Sequence, residues 1–317
     1  MALPSNSFTS YDAIGNREDL IDKIYMVEQT KTPFTSRIAK VSASATKHEW
    51  QKQNLAAAVD TNAVLEGDDA TTDATTATVR LDNQTQISDK VARVTGTQEA
   101  VDKAGRSSEM AYQRSLKMME LKRDIESSAL ANKAKVVGNN STARVAAGVE
   151  SWIATNTSAG ATGTDPTGDG TDARGDGTQR AFDEADLKTV LAACADAGGD
   201  PDLILVGSFN KQAMSAFSGN GVTRNVEANM QTLNTAIDIY VSDFGTLEVV
   251  YSPFSRSRSA LVLDTSLWAM ATLPGRAFSS VPLAKTGDTE RTQIITEWTL
   301  EARDEEGNGI VADLTVS

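Results

Sequence analysis

A histidine is the side chain best placed to act as a general base near neutral pH, and this chain of 317 residues has one, His48, directly before Glu49. A nucleophilic triad needs base, nucleophile and orienting acid within hydrogen-bond reach, whereas adjacent strand residues point to opposite faces. His48 and Glu49 therefore supply at most two of the three parts, and His48 is expected to be a strand residue without a catalytic role. Metal chemistry has one candidate, Asp165, Thr167, Asp169, Gly170 and Asp176, at the first, third, fifth, sixth and twelfth places of a calcium-loop spacing. Aspartate stands where a bidentate glutamate is favoured and no amphipathic helix leads in, so a solvated loop is expected. The Arg174–Asp176 tripeptide is read as chance, and Arg256 and Arg258 as ordinary surface pairs. Cys194, the only cysteine, excludes an internal disulfide and a cysteine-based zinc cluster, and its helical context suits a small buried residue. No G-x-x-x-x-G-K-[ST] loop and no G-x-G-x-x-G after a strand is present. No catalytic, cofactor-binding or metal residue is expected.

Composition narrows the class. A 40% hydrophobic, 23% charged chain has ordinary globular usage, long enough for two or three packed units. Forty-three acids against thirty bases give a formal charge of -13, so long-range attraction of the whole surface to nucleic acid is not expected. Residues 1–10 lack a basic and an apolar segment, and no apolar run reaches the roughly 18 residues of a membrane span. A soluble protein, not exported and not bound to a membrane, is expected.

The elements follow from periodicity. Leu20, Ile21, Ile24 and Val27 fall at helical spacing before Pro33. Two extended runs, Lys47–Leu55 and Val79–Val94, flank a low-complexity Ala, Thr and Asp segment that cannot order itself, which makes a projecting hairpin. In the second run Val79, Leu81, Ile87 and Val91 share one apolar face. A long helix is expected over Ser107–Val137, about 46 Å at about 1.5 Å per residue. Tyr112, Leu116 and Met119 form one apolar row; Met118, Leu121 and Ile125 form another. Lys122 and Glu126 make an i,i+4 pair and Gly138 the stop. Residues 157–179 read as a glycine-rich surface loop without a core pattern. A compact α/β unit follows over about 181–275, with strands at Leu203–Val206, Ile237–Val241, Leu247–Tyr251 and Ala260–Leu263. Alternating strands with a turn at "EEGNG" close the chain.

This order of parts resembles the Hong Kong 97-type phage capsid fold, an α+β architecture. The stretches "TPFTSRIAK", "NQTQISDKVARVTGTQEAVDKAGRSSEMAYQRSLKMMELKRDIESSAL", "AGVESWIATN", "AGGDPDLILVGSFNKQAMSAF", "VSDFGTLEVV" and "LAKTGDTERTQIITEWTLEAR" resemble the SU10-like major capsid protein family along nearly the whole chain. The resemblance implies an N-terminal arm (1–46), an extended loop built as a β-hairpin (47–100), a peripheral domain with the spine helix and a Gly/Asp-rich insertion (101–180), a mainly axial domain (181–284) and returning peripheral-domain strands (285–317). It implies a major capsid protein of a tailed double-stranded DNA phage that self-assembles into hexamers and pentamers of an icosahedral head. Expected partners are other copies of itself, the portal, scaffolding or decoration proteins, and packaged double-stranded DNA bound without sequence specificity. The expected location is the virion capsid, assembled in the host cytoplasm, with no enzymatic activity, cofactor or covalent crosslink. The competing readings are an encapsulin-like nanocompartment shell and a calcium-binding surface protein.

Overall fold

The alternating run near the end of the chain folds as the longest of the described strands, Thr289–Ala302, in a computed structural model that describes residues 26–70, 74–217 and 238–316. In chain order the described elements are α1 (Pro33–Arg37), β1 (Ala39–Ser42), β2 (Lys47–Lys52), β3 (Val79–Gln84), β4 (Gln86–Thr95), α2 (Gly96–Ala100), α3 (Glu109–Ala129), β5 (Thr157–Ser158), α4 (Glu184–Asp196), β6 (Leu203–Val206), α5 (Ser208–Ser215), β7 (Ile239–Ser242), β8 (Gly245–Tyr251), β9 (Ala260–Leu263), β10 (Trp268–Thr272), β11 (Ser279–Leu283), β12 (Thr289–Ala302) and β13 (Gly309–Val311). The helical row at Leu20, Ile21 and Ile24 lies outside the described residues, and Val27 is exposed.

β12 has both edges filled. β4 runs antiparallel along one edge from Thr95 opposite Thr289 to Gln86 opposite Trp298. On the other edge β11 pairs with Arg291–Ile295 and β10 with Trp298–Ala302, and β1 joins β10 in parallel. The second sheet has the order β5-β13-β9-β6-β8-β7. Its central strands β6 and β9 are buried on both faces, and alternation sends their side chains into two cores. Leu203, Leu205, Leu261 and Leu263 join Leu121 and Ile125 of α3 with Trp268, Trp298 and Leu300. Ile204, Val206 and Val262 meet Leu187, Val190, Leu191 and Cys194 of α4. Each fully buried aliphatic side chain here contributes about 1.5–3 kcal/mol. No helix among the described residues is long and apolar enough to cross a membrane.

Several expectations need correction. α3 starts where expected, with the Ser108 side chain accepting from Ala111 N at 3.2 Å, but spans 21 residues and ends at Ala129. That is about 31 Å at about 1.5 Å per residue, and not 46 Å. The backbone beyond it is committed to distant partners: Gly148 N donates to Lys133 O, Lys135 N to Gly170 O, and Val136 pairs with Val145. A Cβ on Gly148 would lie 1.8 Å from Ala131 O, so this approach requires glycine. Likewise, the second extended run is not one strand. It breaks at Thr85, whose N–H bonds Thr46 O and whose hydroxyl donates to Glu297, so β3 pairs with β2 while β4 pairs with β12. Most of the apolar face expected there points outward: Val79, Ile87 and Val91 are exposed, whereas Leu81 packs against the core and Ala92 and Val94 lie under α3. "EEGNG" makes its turn, yet it hands the chain from one sheet to the other, and β13 pairs with β9. β10, within the stretch read as part of the α/β unit, belongs to the sheet of β12.

The Lys122–Glu126 pair is also not formed. Lys122 lies over the Phe278 ring, and Glu126, fully buried, accepts hydrogen bonds from Phe34 N and Thr35 N, both at 2.8 Å. Thr32, at the N-cap of α1, makes no side-chain cap bond, so the α3 carboxylate serves the first turn of α1. Phe34 is pinned edge-on to Trp268 at 5.9 Å. Burial raises the Glu126 pKa against the opposing pull of the Thr35 and Phe34 bonds. A raised acid favours folding below its ordinary range, and that contribution is lost as pH rises through the folded value. Glu126→Ala is expected to destabilise by about 1–3 kcal/mol, from unpaired N–H groups, and to remove this part of the pH dependence. Urea unfolding at acid and neutral pH checks both.

Candidate assembly interface

β2 and β3 pair antiparallel from Lys47 opposite Gln84 to Lys52 opposite Val79, and residues 53–78 between them carry no helix or strand where described. Alternation sorts the side chains of β2 into two faces. His48, Trp50 and Lys52 turn to the body: His48 Nε2 lies 2.9 Å from Glu301 Oε2, the Trp50 ring 5.4 Å from the Trp152 ring, and Lys52 Nζ 2.8 Å from Asp304 and 3.0 Å from Glu306. Asn54 adds a 2.9 Å bond to Glu306. The other face carries Glu49 with Lys47 and Arg80. His48 and Glu49 are thus on opposite faces as expected, and within the subunit His48 bonds to Glu301.

The electrostatics favour this clamp. The His48 hydrogen bond is the main cause holding Glu301 below the ordinary glutamate range; burial opposes it, and Arg303 adds to the lowering. Burial alone would pull Lys52 down, but the bonds to Asp304 and Glu306 outweigh it and leave its pKa raised. At the inner end of the hairpin, Glu297 accepts from Thr85 Oγ1 at 2.9 Å and Arg144 Nη2 at 2.6 Å, and it forms an ion pair with Arg276, whose Nε lies 2.7 Å away. Asn83 donates to Leu300 O at 2.7 Å and accepts from Ala147 N. The described part of the tip has no such anchor: Leu55, Val64 and Leu65 are 97%, 83% and 79% exposed. The root is a fixed part of the subunit, and the tip offers apolar side chains that its own chain leaves uncovered.

The sequence pointed to the hairpin but missed the residues that hold it. Glu301, Asp304 and Glu306 read as strand and turn residues, and their one signal is the density of acids in "EARDEEGNG" opposite a strand with His48 and Lys52. The calcium spacing is not assembled. Asp165 pairs with Arg174, Asp169 accepts from Thr167 and Thr171, and Asp176 takes both Arg256 and Arg258. No cluster of three acids, histidines or cysteines that could hold a metal occurs among the described residues. Nor is this stretch a solvated loop. Arg174 is buried and donates to Ile153 O, while Gly170, at a φ of 74°, admits the Trp152 ring where a Cβ would lie 2.8 Å from it. Arg256 and Arg258 are more than surface pairs, since they tie the loop to the buried Glu150 and Asp313. Cys194 is buried, which pushes its thiol up to about 12.

The family model of the SU10 major capsid protein matches residues 4–315. The chain belongs to that family. The major capsid protein of Escherichia phage Phieco32 is 26% identical, with 96% of each protein covered. Among solved structures, a capsid asymmetric unit of cyanophage A-1(L) superposes with a TM-score of 0.67 at 13% identity, covering 97% of this chain and 98% of that one. The holo-SrpI encapsulin complex of Synechococcus elongatus shares the fold at a TM-score of 0.53 and 11% identity, covering 93% of each chain. The architecture is that of the Hong Kong 97-type capsid proteins, and the function is that of a phage major capsid protein, which forms the shell of the head.

The root clamp has a testable pH signature. Because Glu301 is held low in the folded subunit, its contribution is present above the ordinary glutamate range and lost as pH falls through the folded value. His48→Ala is expected to weaken that acid-side loss while leaving the fold intact. Unfolding midpoints across a pH series check it, and an unchanged acid limb contradicts it.

Proposed function

We propose that copies of this chain associate head to tail into hexamers and pentamers, which close an icosahedral head around double-stranded DNA without any catalytic step. The observation that carries this reading is the contrast within one hairpin, whose root is clamped by its own chain and whose tip is left bare. A segment that cannot bury its apolar groups at home becomes ordered when it adds to another surface. The tip would lie over a neighbouring subunit, and a ring of such heterologous contacts closes on itself. Each contact is individually small, and every subunit makes several.

In this reading 1–46 form the arm, 47–100 the extended loop and 101–180 the peripheral domain around α3. Residues 181–284 form mainly the axial domain and 285–317 the returning peripheral strands, with β10 and β13 each exchanged into the other sheet. A net charge of -13 suits a container that holds its DNA without gripping it. Portal, scaffolding and decoration proteins would join the shell, assembled in the host cytoplasm. Negative-stain electron microscopy of the expressed chain tests the reading. Rings, tubes or shells are expected, and a strict monomer at high concentration even with other head proteins supplied would overturn it. Replacing Ala57–Thr78 by a short Gly-Ser turn is expected to leave the subunit folded with an unchanged Tm and to abolish shells. Normal shell yield would remove the intersubunit role of the tip.

A further inference from the structure

Several lysines of this chain meet carboxylates: Lys52 Nζ bonds Asp304 and Glu306, Lys90 pairs with Asp124 and Lys117 with Glu120. Lys133, just past the end of α3, does not. Its Nζ donates to Gln86 Oε1 at 3.1 Å and to the Ser128 hydroxyl, both neutral, and no acid among the described residues lies within ion-pair distance. Gln86 is the first residue of β4, and its Oε1 also accepts from Ala146 N at 3.3 Å, which fixes the amide that the lysine meets.

The backbone that carries Lys133 is fixed as well. Lys133 O accepts from Gly148 N, Lys135 N donates to Gly170 O, and Asn132 exchanges two side-chain bonds with the Arg174 backbone at 2.8 and 2.9 Å. A lysine on a free segment would extend its ammonium into water, whereas this one holds it half-buried against neutral partners. An ammonium so placed loses hydration and gains no counter-charge. Burial pushes the Lys133 amine down to about 8, against about 10.4 for an ordinary lysine, and no charged neighbour contributes in either direction. Part of the population is therefore free amine near neutral pH, and the free amine is the nucleophilic form.

We propose that Lys133 is a modification site of the native subunit, where the side-chain amine takes an acyl group from a donor of the acyl phosphate class. The amine lone pair attacks the carbonyl carbon and the C–N bond forms. The C–O bond to phosphate breaks, inorganic phosphate leaves with the electron pair, and the amine gives one proton to water. Gln86 and Ser128 are positioning residues, which hold the amine without supplying the negative charge that would keep it protonated. The product amide keeps one N–H where the ammonium has three, so acylation would loosen the link between the end of α3 and the start of β4.

Acetyl phosphate is the probe, applied briefly to the folded full-length subunit near neutral pH, with modified peptides quantified by mass spectrometry. Acetylation at Lys133 is expected to run about tenfold faster than at the exposed Lys40, because a larger free-amine fraction outweighs the lower nucleophilicity of a weaker base. The rate at Lys133 is expected to level off above about pH 8, and the preference to vanish in urea. Gln86→Glu sets a carboxylate beside the amine with little change of shape and is expected to abolish the preference while keeping the melting curve. Equal rates at Lys133 and Lys40 in the folded subunit would overturn the proposal. So would a rate still climbing through about pH 10, a preference that persists in urea, or one that Gln86→Glu leaves in place.

Discussion

The structure depends on one strand accepting partners on both edges and both faces. β12 runs 14 residues, about 46 Å at roughly 3.3 Å per residue, and among the described elements it alone touches β4, β10, β11 and the hairpin root together. Its inward residues Ile294, Trp298 and Leu300 are buried in the core shared with α3. Its outward residues include Glu297 and Glu301, carboxylates that lose water and must be paired. Arg303 beside Glu301 is local, but the other partners, Thr85, Arg144 and Arg276 for Glu297 and His48 for Glu301, come from separate segments of the chain. A buried acid that loses its partner costs several kcal/mol, so these segments are held in place by the need to pair it.

The same requirement explains why a hairpin with a bare tip still has a definite direction. β3 and β4 look like one strand, but Thr85 turns aside to Glu297, and from there the chain leaves the sheet. The clamp at His48, Trp50 and Lys52 then fixes the exit along the body. Polar and ionic contacts suit this task better than a greasy seam. They specify one geometry through hydrogen-bond direction, and they leave the apolar side chains at the tip for a partner. The Glu126 cap on α1 works by the same rule at the start of the described chain.

Much of the architecture was legible because it rests on local period. The buried strands at Leu203–Val206 and Ala260–Leu263, the start of α3 and the two faces of β2 follow from spacing alone. What failed depended on partners distant in sequence. Residues 131–137 have helical composition but surrender their backbone groups to Gly148, Gly170 and Val145. Glycines of 157–179 resemble a flexible loop, yet Gly170 is required by close packing on Trp152. Ile87 and Val91 share a period with the core but face outward, which is a defect in a monomer and a resource in an assembly.

The central claim is that the hairpin has a root ordered by its own subunit and a tip ordered by another. Hydrogen–deuterium exchange on free subunits and on purified shells measures this directly. The account predicts that amides of Lys47–Lys52 and Val79–Gln84 are protected in both states, while residues 53–78 exchange freely in the subunit and become protected in the shell. Protection of the tip in the free subunit, or its continued exchange in the shell, would contradict it.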